Sequence, residues 1–180
     1  MSEFTEDKKI TLLYGVDELA ARVDMLARDI AARMGRDFLV VPILKGSFIF
    51  AADLLRALHR VGAAPRVDFI GLSSYRGDKV SSGAVRIVRD VETEIEGMDV
   101  LLVDDILESG RTLAFATALM RERQAKSVQA CVLLEKPGKL AADIAADFVG
   151  FTCPDRFVVG YGMDLAHAFR ELPFIATLEN

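Results

Sequence analysis

Two adjacent aspartates stand directly before a short run of small and polar residues in the middle of the chain. Residues 100–113 read VLLVDDILESGRTL: four apolar residues precede Asp104 and Asp105, and a Ser-Gly pair precedes an apolar pattern of helical spacing. Backbone N–H groups that converge at such a turn before a helix bind phosphate, and the hydroxyls of Ser109 and Thr112 add donors. Carboxylates accept hydrogen bonds from sugar hydroxyls. The segment therefore predicts a sugar-phosphate site, with the 5′-phosphate on the turn and the ribose 2′ and 3′ hydroxyls on the acids.

The sequence excludes two other interpretations of this segment and leaves a third one open. The chain contains neither GxxxxGK[ST] nor a GxGxxG after a strand, so the two common nucleotide-binding loops are excluded. A simpler alternative is that the two acids are solvated loop residues and that Ser109 only caps the following helix.

The remaining residues with metal or redox chemistry give weak signals. His59 and His167 have no second His or Cys at ligand spacing, so we expect structural or solvated histidines and no zinc. Cys131 and Cys153 form no CxxC pair, which predicts two ordinary, semi-buried thiols in a reducing compartment.

Composition restricts the class of protein. The 180 residues are 52% hydrophobic and 27% charged, which predicts one globular domain with a full core. A net charge of −5 and the lack of a basic run argue against nucleic acid as a partner. No signal peptide is visible, and no apolar stretch reaches the roughly 18 residues of a membrane span. We therefore expect a cytoplasmic protein with no membrane partner.

Strands and helices are predicted to alternate, which indicates a parallel sheet with crossover helices and ligands at the carboxyl ends of its strands. The predicted helices are 17–34, capped by Asp17 and ended by Gly35, then 47–61, ended by Gly62, and 112–123. The predicted strands are 10–14, 38–44, 66–74, 84–88, 100–103 and 127–135, and short pieces follow at 147–151, 157–162 and 175–179. A helical turn is expected around residues 165–170, and the piece after Glu135 is expected to form a small subregion beside the ligand edge. Residues 1–9 and the Gly/Ser-rich residues 75–83 are expected to be mobile.

Four segments resemble, in the same order, the hypoxanthine-guanine phosphoribosyltransferases of bacterial type. They are LKGSFIFAADL at 44–54, SSY at 73–75, VDDILESGRTL at 103–113 and DFVGFTCPDRFVVGYGMD at 147–164. The resemblance covers nearly all residues from Ile10 onward. The third segment resembles the phosphoribosyl-pyrophosphate (PRPP) signature of a superfamily. The last is more specific, because it separates 6-oxopurine enzymes from those that use adenine, orotate or uracil.

The resemblance implies a fold and an activity. The fold is the type I phosphoribosyltransferase fold, an α/β domain with a mainly parallel twisted sheet, flanking helices and a small hood from the chain termini. The activity is Mg²⁺-dependent transfer of the phosphoribosyl group from PRPP to N9 of hypoxanthine or guanine in purine salvage, giving IMP or GMP and pyrophosphate. A homo-oligomer, a dimer or tetramer, is expected on the same ground.

The resemblance also implies roles for single residues. Lys136 donates to the purine 6-oxo group, with Lys139 a weaker companion, while Phe157 stacks on the purine and Val158 offers backbone groups to it. Asp164 binds Mg²⁺, and a lid formed by residues 74–83 closes over PRPP. PRPP and nucleotide contacts are assigned to Lys45, Gly46, Ser74, Tyr75, Asp104, Asp105, Ser109, Gly110, Arg111, Thr112 and Arg170.

Two residues depart from the family pattern. Glu108 stands where these enzymes usually carry an aspartate that accepts the purine proton at N7, so the carboxylate reaches roughly 1.5 Å further. Asp104 stands where glutamate is commoner. Because of the change at Glu108, a non-catalytic PRPP-binding regulator stays an alternative function. A xanthine-preferring enzyme is a second alternative. A flavodoxin-like receiver would explain the paired acids but neither Lys45-Gly46 nor FVVGYGMD.

Overall fold

The structure is a computed structural model that describes residues 9–74 and 85–178. The three helices of this part are α1 (Val16–Met34), α2 (Phe48–Arg60) and α3 (Arg111–Glu122). The strands are β1 (Ile10–Tyr14), β2 (Leu39–Leu44), β3 (Arg66–Val67), β4 (Ile70–Ser74), β5 (Val85–Arg89), β6 (Asp99–Leu107), β7 (Ser127–Glu135), β8 (Phe148–Thr152), β9 (Val158–Val159) and β10 (Ile175–Leu178). The expected mobility of residues 1–9 and 75–83 falls almost wholly outside the described residues.

The main sheet has the order β5-β4-β2-β6-β7-β8, with β3 also paired to β2. Its neighbouring strands are parallel except for β5, which runs antiparallel to β4. From β2 the chain moves outward to β4 and β5, and it then returns to place β6 on the other side of β2. The strand order therefore reverses between β2 and β6, and ligands bind at such a point in open α/β sheets.

A second, smaller sheet joins the two ends of the described chain. Strands β1, β10 and β9 are antiparallel neighbours, with Thr11 opposite Thr177 and Thr177 opposite Val158. We call this sheet and the turns between β9 and β10 the hood. The predicted subregion after Glu135 is thus present, and its third strand comes from the N-terminal part of the chain.

The main sheet is covered on both faces, which explains the continuous apolar runs in its strands. Successive residues alternate between two cores: Leu101 and Val103 of β6 pack with α1 and α2, whereas Val100 and Leu102 pack with α3. In α1 the predicted apolar face is buried, comprising Leu19, Val23, Leu26 and Ile30.

Helix ends differ slightly from the prediction. Gly15, and not Asp17, is the N-cap of α1, because the Glu18 carboxylate reaches back to accept the N–H of Gly15 at 3.4 Å. Asp17 lies within the first turn, where its charge still favours the helix dipole. Gly35 and Gly62 follow α1 and α2 with φ of 78° and 85°, as their predicted role as helix stops requires.

Three predicted elements are wrong in extent or type. The strand at 66–74 is interrupted at residues 68–69, where the Asp68 carboxylate binds backbone N–H groups. Strand β6 continues through the acidic pair to Leu107, because β7 remains beside it as far as Glu135. Residues 165–170 form tight turns instead of a helical turn, since Ala166, His167 and Phe169 have φ of 49°, 73° and 73°.

Within the described ranges, no helix combines the length and apolar character that crossing a membrane requires.

Candidate active site

A cavity of about 170 Å³ opens at the carboxyl end of β6. Its walls combine Asp104 from the strand with Glu108, Ser109, Gly110 and Thr112 from the turn into α3. The structure therefore brings the predicted sugar-binding acid and most of the predicted phosphate loop to one space. Arg111 is exposed and does not line it.

The turn into α3 owes its shape to glycine and to a neighbouring segment. Gly110, and not Ser109, is the N-cap of α3, with φ of 75°. The N–H groups of Ala141 and Ala142 donate to the Ser109 carbonyl at 2.9 and 3.2 Å. A side chain at Gly110 would press against Ile144. The segment after β7 thus fixes the turn from which α3 starts, and Ser109, Gly110 and Thr112 at this start line the cavity.

Asp104 is only 8% exposed, so the alternative of a solvated loop residue is wrong for it, and Asp105 is half-buried. Each carboxylate accepts the N–H of the next residue, at 3.0 Å for Asp104 and 2.9 Å for Asp105. Burial raises the pKa of Asp104 well above its usual range, and the adjacent Asp105 charge raises it further. Burial raises the pKa of Asp105 as well, although hydrogen bonds and the Arg170 charge offset part of that rise.

The loop after β2 lies against the acid pair. The Leu44–Lys45 peptide bond is cis, and Lys45 is exposed while Ser47 is fully buried. A Cβ at Gly46 would overlap the Asp105 carboxylate, which only a glycine at this position avoids. The Ser47 hydroxyl donates to the Ile43 carbonyl at 2.6 Å and closes the loop.

On the other side of the turn, a buried lysine faces the unusual glutamate. Lys136 Nζ lies 3.4 Å from Glu108 Oε2, and the Lys136 side chain is 7% exposed against 50% for Glu108. The Lys136 N–H donates to the Leu107 carbonyl at 2.9 Å, which fixes where its side chain starts. Lys136 is therefore not the exposed lysine that composition alone would favour.

Two further segments border this lysine. Lys139 Nζ lies 2.7 Å from Asp155 Oδ2, which links the segment after β7 to the segment before β9. Phe157 is 49% exposed and is not part of the core. Val158 is buried in β9. An exposed aromatic beside buried neighbours is available for stacking on a planar ligand.

Asp164 and Arg170 form an ion pair in the hood. Arg170 Nη2 lies 2.7 Å from Asp164 Oδ1, and Arg170 Nη1 donates to the Gly162 carbonyl at 2.5 Å. The His167 N–H donates to the second Asp164 oxygen at 2.7 Å. A side chain at Gly162 would overlap the Gly46 carbonyl. The pair is therefore carried by a turn in direct contact with the loop after β2.

These residues suit Mg²⁺ only as the partner of a bound ligand. Across residues 9–74 and 85–178, no group of three or more His, Cys, Asp or Glu could hold a metal ion. Mg²⁺ is commonly bound through one or two carboxylates and substrate phosphates. Asp164, which supplies one partly exposed carboxylate, fits an ion that arrives with a phosphorylated ligand.

The cysteines are less accessible than predicted. Cys131 and Cys153 are 0% and 1% exposed, so both are fully buried and not semi-buried. Burial raises the pKa of each thiol, which leaves neither as a nucleophile.

Two predicted ligand contacts cannot be placed. Tyr75 and the predicted lid lie outside the described residues, apart from Ser74, whose backbone ends β4.

Sequence reasoning missed several residues that shape the site. They are Ser47, Gly162, the pair Asp53 and Tyr161, and the segment around Ile144. Only Gly162 carried a signal, since GYG marks a tight turn.

Fold and pocket together define an α/β protein with a glycine-capped helix start and an acidic pair at the carboxyl edge of a parallel sheet. Residues 15–165 match the phosphoribosyl transferase domain family, and the chain belongs to that family.

Three relatives illustrate the similarity. The chain is 41% identical to a hypoxanthine-guanine phosphoribosyltransferase of Bacillus subtilis over 169 residues, 93% of this chain and 92% of that protein. It is 44% identical over 169 residues to the bifunctional protein TilS/HprT of Listeria monocytogenes, of which it spans only 26%. A hypoxanthine-guanine phosphoribosyltransferase structure from Bacillus anthracis matches with a TM-score of 0.86 at 37% identity, over 96% of this chain and 100% of that one. The predicted family and fold class are confirmed.

Proposed function

We propose that the chain transfers the 5-phosphoribosyl group from PRPP to N9 of hypoxanthine or guanine, forming IMP or GMP and pyrophosphate. The observation that carries the proposal is the Lys136–Glu108 pair beside the Asp104 cavity. A 6-oxopurine presents a carbonyl oxygen at C6 next to N7. Lys136 is a donor only, and ionised Glu108 is an acceptor only. Adjacent donor and acceptor thus match a 6-oxo group beside an N7–H, whereas adenine would turn its amino group toward the lysine.

The sugar and phosphate would occupy the cavity at the end of β6. The start of α3 supplies N–H groups and the Ser109 and Thr112 hydroxyls for the 5′-phosphate. Asp104 and Asp105 would accept hydrogen bonds from the ribose hydroxyls. Their raised pKa means that the pair also holds a proton more readily than separate aspartates, so it repels the phosphate less.

In the transfer, the bond between C1′ and N9 forms as the bond between C1′ and the pyrophosphate oxygen breaks. Pyrophosphate leaves with the electron pair, and the purine proton passes to the Glu108 carboxylate. Lys45, the Gly46 loop and Arg170 supply positive charge and N–H donors to the leaving group. Mg²⁺ bound with PRPP would add charge neutralisation, with Asp164 as its protein ligand. Phe157 would stack on the purine, and the Val158 backbone would meet its edge.

The test is a panel of bases. The purified chain is incubated with PRPP and Mg²⁺ and with hypoxanthine, guanine, xanthine or adenine, and nucleotide formation is followed by absorbance. We expect IMP and GMP and no product from adenine. Xanthine as the best substrate would assign the xanthine-preferring activity. PRPP binding without turnover of any base would assign a regulator.

Glu108 is tested in the same assay. Glu108→Ala should lower kcat by about 10²-fold, because a proton acceptor contributes on that order, while Glu108→Asp should keep most of the activity. Glu122→Gln, an exposed change at the far end of α3, is the matched control. An alanine variant as fast as the parent would remove Glu108 from the mechanism.

Cytoplasmic location stays a prediction from the sequence, and a dimeric or tetrameric assembly stays a prediction of the resemblance. Sedimentation velocity of the purified chain checks the assembly.

A further inference from the structure

The turn between β9 and Asp164 contains three consecutive residues with positive φ. Gly160, Tyr161 and Gly162 have φ of 94°, 51° and 103°. A tyrosine rarely adopts this conformation, at a cost of order 1 kcal/mol or more, so its surroundings must hold it there. Tyr161 is 6% exposed, and its N–H donates to the Leu172 carbonyl at 2.8 Å.

The Tyr161 hydroxyl reaches out of the hood to helix α2. It donates to Asp53 Oδ2 at 2.6 Å. The other Asp53 oxygen accepts from Arg56 Nη1 at 2.7 Å, so the carboxylate is oriented by its own helix. A cavity of about 200 Å³ between α1 and α2 borders both Tyr161 and Asp53. This hydrogen bond is a polar link between the hood turn and α2.

Both residues of this bond lie in segments that are joined directly along the chain to residues of the site. Helix α2 begins at Phe48, immediately after the loop that carries Lys45 and Gly46. On the hood side, the next residue is Gly162, whose Cα lies against the Gly46 carbonyl and whose own carbonyl accepts from Arg170. The Tyr161–Asp53 bond therefore clamps together the two segments that would hold the pyrophosphate end of PRPP.

We propose that Tyr161 and Asp53 are a positioning pair that sets the geometry of the Gly46 loop against Gly162 and Arg170, and thereby the affinity for the pyrophosphate end of the donor substrate. The inference rests on the proposed function. Neither residue touches the base side formed by Lys136 and Glu108. The pair should thus act on the binding of PRPP and pyrophosphate and leave the binding of hypoxanthine nearly unchanged.

The first experiment compares Tyr161→Phe with the parent in steady-state kinetics. The variant loses only the hydroxyl, so we expect the KM for PRPP to rise about 10-fold, as small displacements of binding groups do, with the KM for hypoxanthine within about twofold. Tyr14→Phe is the matched control, because Tyr14 is also a hood tyrosine whose hydroxyl donates to the main part of the molecule, but to the Thr152 carbonyl in the edge strand β8 and not to α2. The control should leave both constants unchanged.

Asp53 supplies the second arm. Asp53→Asn keeps an acceptor oxygen for Tyr161 and should behave like the parent, whereas Asp53→Ala should match Tyr161→Phe. The double variant Tyr161→Phe/Asp53→Ala should be no worse than either single one, since both remove the same bond. Titration calorimetry with inorganic pyrophosphate and Mg²⁺, without base, should show the same loss of affinity.

Three outcomes overturn the inference: an unchanged KM for PRPP in Tyr161→Phe, an equal rise of both KM values, or the same effect in Tyr14→Phe. A parent chain that makes no nucleotide overturns the proposed function instead. In that event the pyrophosphate titration still decides whether the pair controls an anion site. If Tyr161→Phe does not fold, the contrast between Asp53→Asn and Asp53→Ala carries the test.

Discussion

Asp104 and Asp105 show how single residues that serve a binding site can lower the stability of the folded protein. The buried carboxyl group of Asp104 lies next to the half-buried Asp105, and burial together with the charge of Asp105 raises the pKa of Asp104 well above its usual range. A folded chain that binds protons more tightly than the unfolded chain becomes less stable as the pH rises. The cost is tolerated where a ligand supplies the missing hydrogen bonds.

Asp104→Asn should therefore stabilise the ligand-free protein at pH 7. The stabilisation should be about 1–2 kcal/mol, and it should disappear as the pH falls from the folded pKa toward the unfolded value of about 3.9. Thermal melting between pH 4 and 8 measures it, with the exposed Asp29→Asn as control. The same variant should lower kcat/KM for PRPP, because an amide accepts fewer hydrogen bonds from ribose hydroxyls. A variant that melts below the parent at pH 7 would contradict the assigned pKa direction.

Residues that are contiguous in sequence were predictable, and those that meet only in space were not. Asp104, Glu108, Ser109 and Thr112 lie within nine positions, so one strand end brings them together. The Lys136–Glu108 pair joins positions 28 apart, and the Tyr161–Asp53 bond joins positions 108 apart. Neither separation leaves a periodic signal, so both contacts required the fold.

The conformation of the loop after β2 depends on the absence of a side chain at Gly46. Gly46→Ala would place a Cβ onto the Asp105 carboxylate and force this carboxylate or the loop to move. We expect kcat/KM for PRPP to fall about 10²-fold, as misplacement of substrate-binding groups does. Gly15→Ala, where a Cβ meets nothing within 4 Å, is the matched control and should keep full activity. Equal kinetics of the two variants would show that the loop tolerates the displacement.

Asp68 explains why the single strand predicted at residues 66–74 is two strands, β3 and β4, in the structure. Its carboxylate accepts the N–H groups of Phe69, Glu92 and Thr93 and the Thr93 hydroxyl, at 2.7–2.9 Å. Hydrophobic patterning does not register such a break, because Phe69 and Ile70 fit a continuing strand. The helices were predictable for the opposite reason: their apolar spacing coincides with the faces that the core covers.

Asp68→Ala should lower the free energy of unfolding by about 3 kcal/mol, because it removes the acceptor of three partly buried N–H groups and of the Thr93 hydroxyl. Asp68→Asn keeps one acceptor oxygen and should lose about half as much. Burial raises the pKa of Asp68, but these hydrogen bonds more than offset that rise and lower it below its usual range. The contribution is therefore present above the unfolded pKa and is lost as the pH falls through the folded one. Denaturant unfolding of both variants measures the difference. Equal free energies of unfolding in Asp68→Ala and Asp68→Asn would show that the hydrogen bonds of Asp68 do not stabilise the fold.

The whole molecule joins a parallel sheet to a hood, and the site lies where they meet. The reversal of strand order between β2 and β6 opens the carboxyl edge of the sheet. The hood closes over that edge through the contact of Gly162 with Gly46. Alternating strands and helices predicted the sheet and its edge. The hood was harder to predict, because its strands β1 and β10 pair across nearly the entire chain.

A nucleotide should therefore protect two segments that are far apart in sequence. With IMP at saturation, amide hydrogen exchange should slow both at residues 108–112, which would bind the phosphate, and at residues 157–164, which would hold the base. Ribose 5-phosphate, which lacks the base, should slow only residues 108–112. At 100 times its dissociation constant, IMP should also raise the free energy of unfolding by about 2.7 kcal/mol. Protection by IMP confined to one segment would mean that sheet and hood do not share the ligand, since a nucleotide bound between them must order both.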